Sequence, residues 1–217
     1  MSFMFKTNSK NIFIKNEKIK TLYFNLIIVF LGSVLLALSS QFKVPLGPVP
    51  VTLQSMVVML IGLFLGWRLS IAIILAYWSE GILLGGFLSF MPWFANGSGL
   101  IYFLSSPSAG FLWGFLPMVA FIAFSMKFLP TNFLKSKPLL SLFSVLSILI
   151  FSQIILYCIG VLHAYFFILP FVDWMNSFSE LKNLYITPFI IGDLIKTLLA
   201  TLVAFKFLDF FRKRVKQ

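Results

Sequence analysis

Asp193 and Lys196 stand three residues apart inside a largely apolar run that holds no other charge across 188–205. On a helix that spacing puts both side chains on one face. A charge in so apolar a segment is costly to bury and marks a functional site by default, so the two residues either pair with each other or grip one polar ligand. An acid beside a base could also move a proton, but no nucleophile such as a paired Ser-His and no metal set accompanies them. Cys158 is the single cysteine and His163 the single histidine. No disulfide framework, thiolate metal site or cofactor is expected from that inventory. His163, near the end of an apolar stretch, reads as an interfacial residue rather than a ligand. The chain lacks Gly-x-x-x-x-Gly-Lys-[Ser/Thr], so the usual phosphate loop for ATP is not present either.

The elements that must hold this pair are apolar helices. Hydrophobic residues make up 60% and charged residues 11% of the 217, against roughly 25% charged in soluble domains. Spans of about 20 apolar residues cross a hydrocarbon core of roughly 30 Å. Six are read here: 22–41, 53–66, 69–84, 108–128, 139–169 and 188–207. The fold class is therefore an all-α integral membrane protein with six transmembrane helices. A basic N-terminus (1–21), a membrane domain (22–207) and a basic tail (208–217) divide the chain. Ala37-Leu38-Ser39 loosely resembles a cleavage site, but the first apolar stretch has full span length and is read as a retained helix rather than a signal peptide.

Alternate connections placed on opposite sides put 14 of the 17 cations together, from Lys6, Lys10 and Lys15 through Arg68, Lys127, Lys135 and Lys137 to Arg212, Lys213, Arg214 and Lys216. Lys43 and Lys182 fall on the other side and Lys196 lies within a span. By the positive-inside rule both termini are cytoplasmic. The net charge of +11 then needs no nucleic acid, because the basic ends meet anionic membrane lipid.

Residues 81–126 hold no charge at all, yet Gly85-Gly86, Pro92, Asn96-Gly97-Ser98-Gly99 and Ser105-Ser106-Pro107-Ser108 break any continuous helix. An apolar, Gly-rich extracellular loop there reads as a lid or pocket wall, whose free backbone groups must find protein partners or line a wet cavity. Pro45, Pro48 and Pro50 make the first outer loop stiff and extended. Beyond it Gln54 carries an amide able to donate and accept toward a ligand, although Thr52 and Gln54 also suit a helix cap.

Val49-Pro50-Val51-Thr52-Leu53-Gln54, Tyr77-x-x-Glu80-Gly81, Phe94-Ala95-Asn96-Gly97-Ser98-Gly99, Pro107-Ser108-Ala109-Gly110 and Gly192-Asp193-Leu194-Ile195-Lys196 occur in the order seen in the BioY family. The chain resembles that family, the biotin-binding S components of energy-coupling-factor transporters, over roughly 32–207. Three positions depart from its pattern: Ile191 stands where proline commonly precedes Gly-Asp, Trp67 replaces the proline of Gly-Pro-Arg, and Phe111 replaces a tyrosine or arginine. The last change removes a polar anchor, and the 81–92 segment is longer than the resemblance implies.

The resemblance implies biotin as ligand. Its cyclic urea offers two N–H donors and a carbonyl, its ring is apolar, and its chain ends in a carboxylate. Asp193 would accept from the urea and Lys196 would donate to its carbonyl, with Gln54, Tyr77, Asn96 and Ser98 adding polar contacts and Phe94 an apolar wall. The carboxylate partner stays open, Lys43 being one candidate. The resemblance further implies a separate transmembrane coupling protein with ATPase subunits, with self-association as the alternative. Ser33-x-x-x-Ala37 is a small-xxx-small face suited to close helix approach and is expected to form the coupling interface. Uptake of biotin without catalysis is the expected function. An S component for another vitamin, or an intramembrane enzyme using Asp193 and Lys196, are the alternatives.

Overall fold

The computed structural model describes residues 2–83, 92–129, 138–171 and 178–215, with side chains for 18–83, 92–129, 138–171 and 179–207. Gly85-Gly86, Lys135, Lys137 and the side chains of the terminal cations fall outside these residues. Helix α1 spans Ser2–Gln41 without a break. Two-residue strands, β1 (Lys43–Val44) and β2 (Val51–Thr52), then pair antiparallel, Lys43 opposite Thr52. They close the proline loop into a small hairpin that the all-α expectation did not include.

Helices α2 (Gln54–Phe64) and α3 (Gly66–Leu83) form an antiparallel pair. The turn is tight because Gly66 takes φ 72°, a left-handed conformation that favours glycine. Ser70 Oγ donates to Ile61 O at 3.0 Å near the turn, and Gln54 Nε2 donates to Tyr77 OH at 2.6 Å near the open end. Eleven residues in α2 rise only about 16 Å, half a hydrocarbon core. The polar start of α2 therefore sits deep, beneath the β hairpin.

A short helix α4 (Leu100–Ser105) precedes α5 (Ala109–Phe128), and α6 (Pro138–His163) follows, continued by a π turn over Ala164–Ile168 and a 3₁₀ turn over Leu169–Phe171. Helix α7 (Phe178–Tyr185) leads into α8 (Thr187–Val215), which carries Asp193 and Lys196. Neither α4 nor α7 was expected from the sequence. Four of the described helical stretches, Lys18–Gln41, Ala109–Phe128, Pro138–Phe171 and Ser179–Phe207, are long and apolar enough to cross a membrane.

The surface is apolar and much of the polar inventory is inside, as lipid requires of a spanning protein. Phe30, Leu31, Ile101, Phe151 and Phe171 are exposed, whereas Ser33, Gln54, Ser55, Ser152, Asp193, Lys196, Thr197 and Thr201 are buried. Small residues let the helices close up: a Cβ on Gly62 of α2 would stand 2.9 Å from Ile122 of α5, and one on Gly114 of α5 would stand 2.8 Å from Leu156 of α6. The core between them holds Val58, Met59, Ile73, Ile74, Met118 and Leu149.

Candidate functional site

Lys196 and Asp193 form an ion pair, Nζ to Oδ1 at 2.5 Å, with side chains 8% and 7% exposed. A pair this buried is stable only when its other protons and lone pairs are met. The Lys196 ammonium also donates to Thr52 O at 2.8 Å and Ser55 Oγ at 2.9 Å, so its three N–H groups have three acceptors. Ser55 Oγ in turn donates to Asp193 Oδ1 at 3.2 Å, and Tyr157 OH donates to Oδ2 at 2.5 Å. Thus β2, α2, α6 and α8 all converge on one carboxylate. Thr197 Oγ1 donates to Asp193 O at 2.6 Å, tying the next helical turn to the same point.

These groups form one end of a cavity with about 510 Å³ of empty space, the open solvent at its mouth included. Thr52, Gln54, Ser55, Asp193 and Lys196 supply its polar end, and Phe111, Leu112, Phe115, Leu156 and Phe189 its apolar wall. Phe111 stacks on Phe189 with centroids 5.4 Å apart and on Tyr185 at 6.3 Å. Where a polar anchor was expected from the resemblance, this chain builds an aromatic stack. Val49 and Pro50 of the first loop and Phe94 and Ala95 of the Pro92–Gly99 segment complete the lining.

That last segment is folded against the protein rather than spread over a membrane surface. Phe94 N–H donates to Gly97 O at 3.0 Å, and Gly99, at φ 93°, donates its N–H to Gly81 O at 2.8 Å. Phe94 is fully buried, edge-on to Tyr77 at 5.3 Å and stacked on Tyr102 at 5.9 Å. Its ring lies where a Gly81 side chain would go, 2.2 Å from a Cβ built there. Gln41 Nε2 donates to Pro92 O at 2.7 Å, Ser40 Oγ to Trp93 O at 3.3 Å, and Lys43 Nζ to Ala95 O and to Asn96 Oδ1.

Of the residues singled out in the sequence, Asp193, Lys196, Gln54 and Phe94 line the cavity. Tyr77 stands behind it, receiving Gln54 Nε2 and donating to Trp93 O at 3.4 Å. Asn96 is exposed at the rim, and Ser98 Oγ accepts the Trp93 backbone N–H at 2.6 Å. Neither is among the lining residues. Thr52 Oγ1 does accept the Gln54 backbone N–H at 3.3 Å, so Thr52 serves the helix start while the Gln54 side chain, held by Tyr77, lines the cavity. His163 is not interfacial: it is buried, 3.3 Å from Leu104 O and edge-on to Trp113 at 4.9 Å.

The face expected to meet a coupling protein is buried within this chain. Ser33 and Ala37 are 0% and 1% exposed, and Ser33 Oγ donates to Glu80 Oε1 of α3 at 2.9 Å. Ser33 thus packs toward α3 within the chain. Ser55 and Tyr157, by contrast, were missed. One hydroxyl in an apolar helix and one tyrosine among 18% aromatic residues carry no pattern that separates them from packing residues.

Residues 11–213 match the model described as the BioY family. The chain is 32% identical over 182 residues to the biotin transporter BioY2 of Lactococcus lactis subsp. cremoris (strain MG1363), covering 84% of this chain and 88% of that one. It is 32% identical over 177 residues to a probable biotin transporter BioY of Pyrococcus horikoshii (82% and 91% covered), and 31% identical over 186 residues to the biotin transporter BioY of Rhodobacter capsulatus (80% and 86%). Its fold is similar to that in the crystal structure of the S-component for biotin from an ECF-type ABC transporter, with a TM-score of 0.63 at 23% identity, covering 89% of this chain and 93% of that one.

Proposed function

This chain belongs to the BioY family, and from that premise we propose how it captures and moves its ligand. It is a biotin transporter component, not an enzyme, and a multi-pass protein of the bacterial cytoplasmic membrane. The observation that carries the site assignment is the buried Asp193–Lys196 pair, the only two charged residues among the described residues lining the cavity. Asp193 Oδ2 has lone-pair capacity beyond its Tyr157 contact and accepts a urea N–H. Lys196 yields one of its acceptors to donate to the urea carbonyl. Phe94, Phe111, Phe115 and Phe189 enclose the sulfur ring, while Gln54, oriented by Tyr77, lies within the same polar end.

Six spans, both termini cytoplasmic and the Pro92–Gly99 segment outside form the topology that the cation asymmetry supports. In that frame α2 and α3 are the two short spans, and membrane lipid covers the exposed apolar faces. The chain carries no phosphate loop, so a separate transmembrane coupling protein with ATPase subunits supplies the energy. The deciding experiment is mass spectrometry of the ligand carried by detergent-purified protein, together with saturable binding of labelled biotin. Biotin at one per chain is expected. A different vitamin in the cavity, or no binding of biotin, would overturn the reading.

A further inference from the structure

The cavity has cations at its polar end and at its rim, but only one of them is committed. Lys196 is the single cation lining it among the described residues, and all three of its N–H groups are already taken. Lys43 stands opposite Thr52 in the β1–β2 ladder, and directly opposed residues of an antiparallel pair project to the same face. Thr52 lines the cavity, and so does Ala95, whose carbonyl Lys43 reaches. Lys43 is thus held at the mouth between two lining residues.

Both recorded partners of its ammonium are neutral oxygens, Ala95 O and Asn96 Oδ1, the latter at 2.8 Å. Among the described residues no carboxylate pairs with it, and the third N–H is unused. By accepting through Oδ1, Asn96 turns its amide so that the Nδ2 donors stay open, and these too have no partner among the described residues. An ammonium and an amide N–H side by side, with no anion between them, make a receptor for a carboxylate.

We propose that Lys43, with the Asn96 amide it orients, receives the carboxylate of the ligand's flexible chain. This rests on the biotin reading above and adds which residues discriminate the anion. It also accounts for how a cavity whose opposite wall carries Phe111 rather than a polar side chain recognises an acid.

The test measures binding of labelled biotin and of biotinamide, its neutral carboxamide, to purified wild type, Lys43→Gln and Lys43→Arg. Wild type should prefer biotin by about 10-fold or more, the effect of one charge-assisted hydrogen bond. Lys43→Gln should lose that preference by weakening biotin alone, and Lys43→Arg should keep it. Unchanged biotinamide affinity doubles as the check that Lys43→Gln is folded. Retained preference in Lys43→Gln would overturn the proposal. Equal loss of both ligands would also overturn it, leaving Lys43 as a clasp between two loops. A wild type that binds neither compound would instead reject the biotin reading, and the proposal with it.

Discussion

Tyr157 of α6 donates its phenol to Asp193 Oδ2 of α8 at 2.5 Å, on the opposite carboxylate oxygen from Lys196. The carboxylate is therefore fixed from two helices. A hydrogen bond to a charged group is worth about 1.5–3 kcal/mol, so Tyr157→Phe should weaken biotin by roughly 10-fold or more. Asp193→Asn should cost at least as much, and the double variant should lose little beyond Asp193→Asn, because both act through one oxygen pair. Titration of purified variants with labelled biotin checks this; wild-type affinity in Asp193→Asn would remove the pair from the site.

Gly81 and Phe94 bear on each other in the same way, through space rather than charge. A methyl at Gly81 would meet the Phe94 ring at 2.2 Å, so Gly81→Ala must push that ring toward the cavity. Overpacking of this kind costs about 1–3 kcal/mol. Gly81→Ala should lower both the thermal midpoint and biotin affinity, and Phe94→Leu added to it should restore part of each. An unchanged midpoint and affinity in Gly81→Ala would contradict the packing.

Ala37 gives the cleanest contrast between an internal and an external face. Because it is buried within the chain, Ala37→Trp should destabilise the purified protein and reduce binding and cellular uptake together. Loss of uptake with normal binding would instead return Ala37 to a partner-facing surface.

For the topology, single cysteines at Ser98 and Trp67 in a Cys158→Ala background are expected to label from opposite sides. Ser98→Cys should react with an impermeant thiol reagent applied outside and Trp67→Cys, at the exposed α2–α3 turn, only from the cytoplasm. Labelling of both from one side would break the alternating assignment of spans.

The ion pair was legible because two charges in an apolar run have one economical explanation, and Gln54 because an amide beside a stiff proline loop is conspicuous. Helix α5 begins within one residue of the expected span. What sequence could not convey was orientation. Ser33 and Ala37 are small whichever way they face, and only the Ser33–Glu80 contact shows that they face inward. Nor could it convey the β1–β2 ladder, since strands of two residues have no period to detect. Asn96 and Ser98 lie close together in the Pro92–Gly99 segment, and a turn sends neighbouring side chains in different directions. Asn96 accepts from Lys43, and Ser98 accepts from the Trp93 backbone N–H.

The Asp193–Lys196 pair also sets how the site answers to voltage. Moving one elementary charge through 100 mV is worth about 2.3 kcal/mol, so a lone buried acid would couple any movement of its helix along the membrane normal to the membrane potential. Opposite charges 2.5 Å apart cancel that work almost completely. The inner end of the cavity is electrically silent, and any voltage dependence of capture belongs to the charge the ligand brings and the cation that meets it at the rim. Neutralising either member alone, as in Asp193→Asn or Lys196→Met, would leave net charges of opposite sign, and movement of the domain in the bilayer would then respond to the potential in opposite directions.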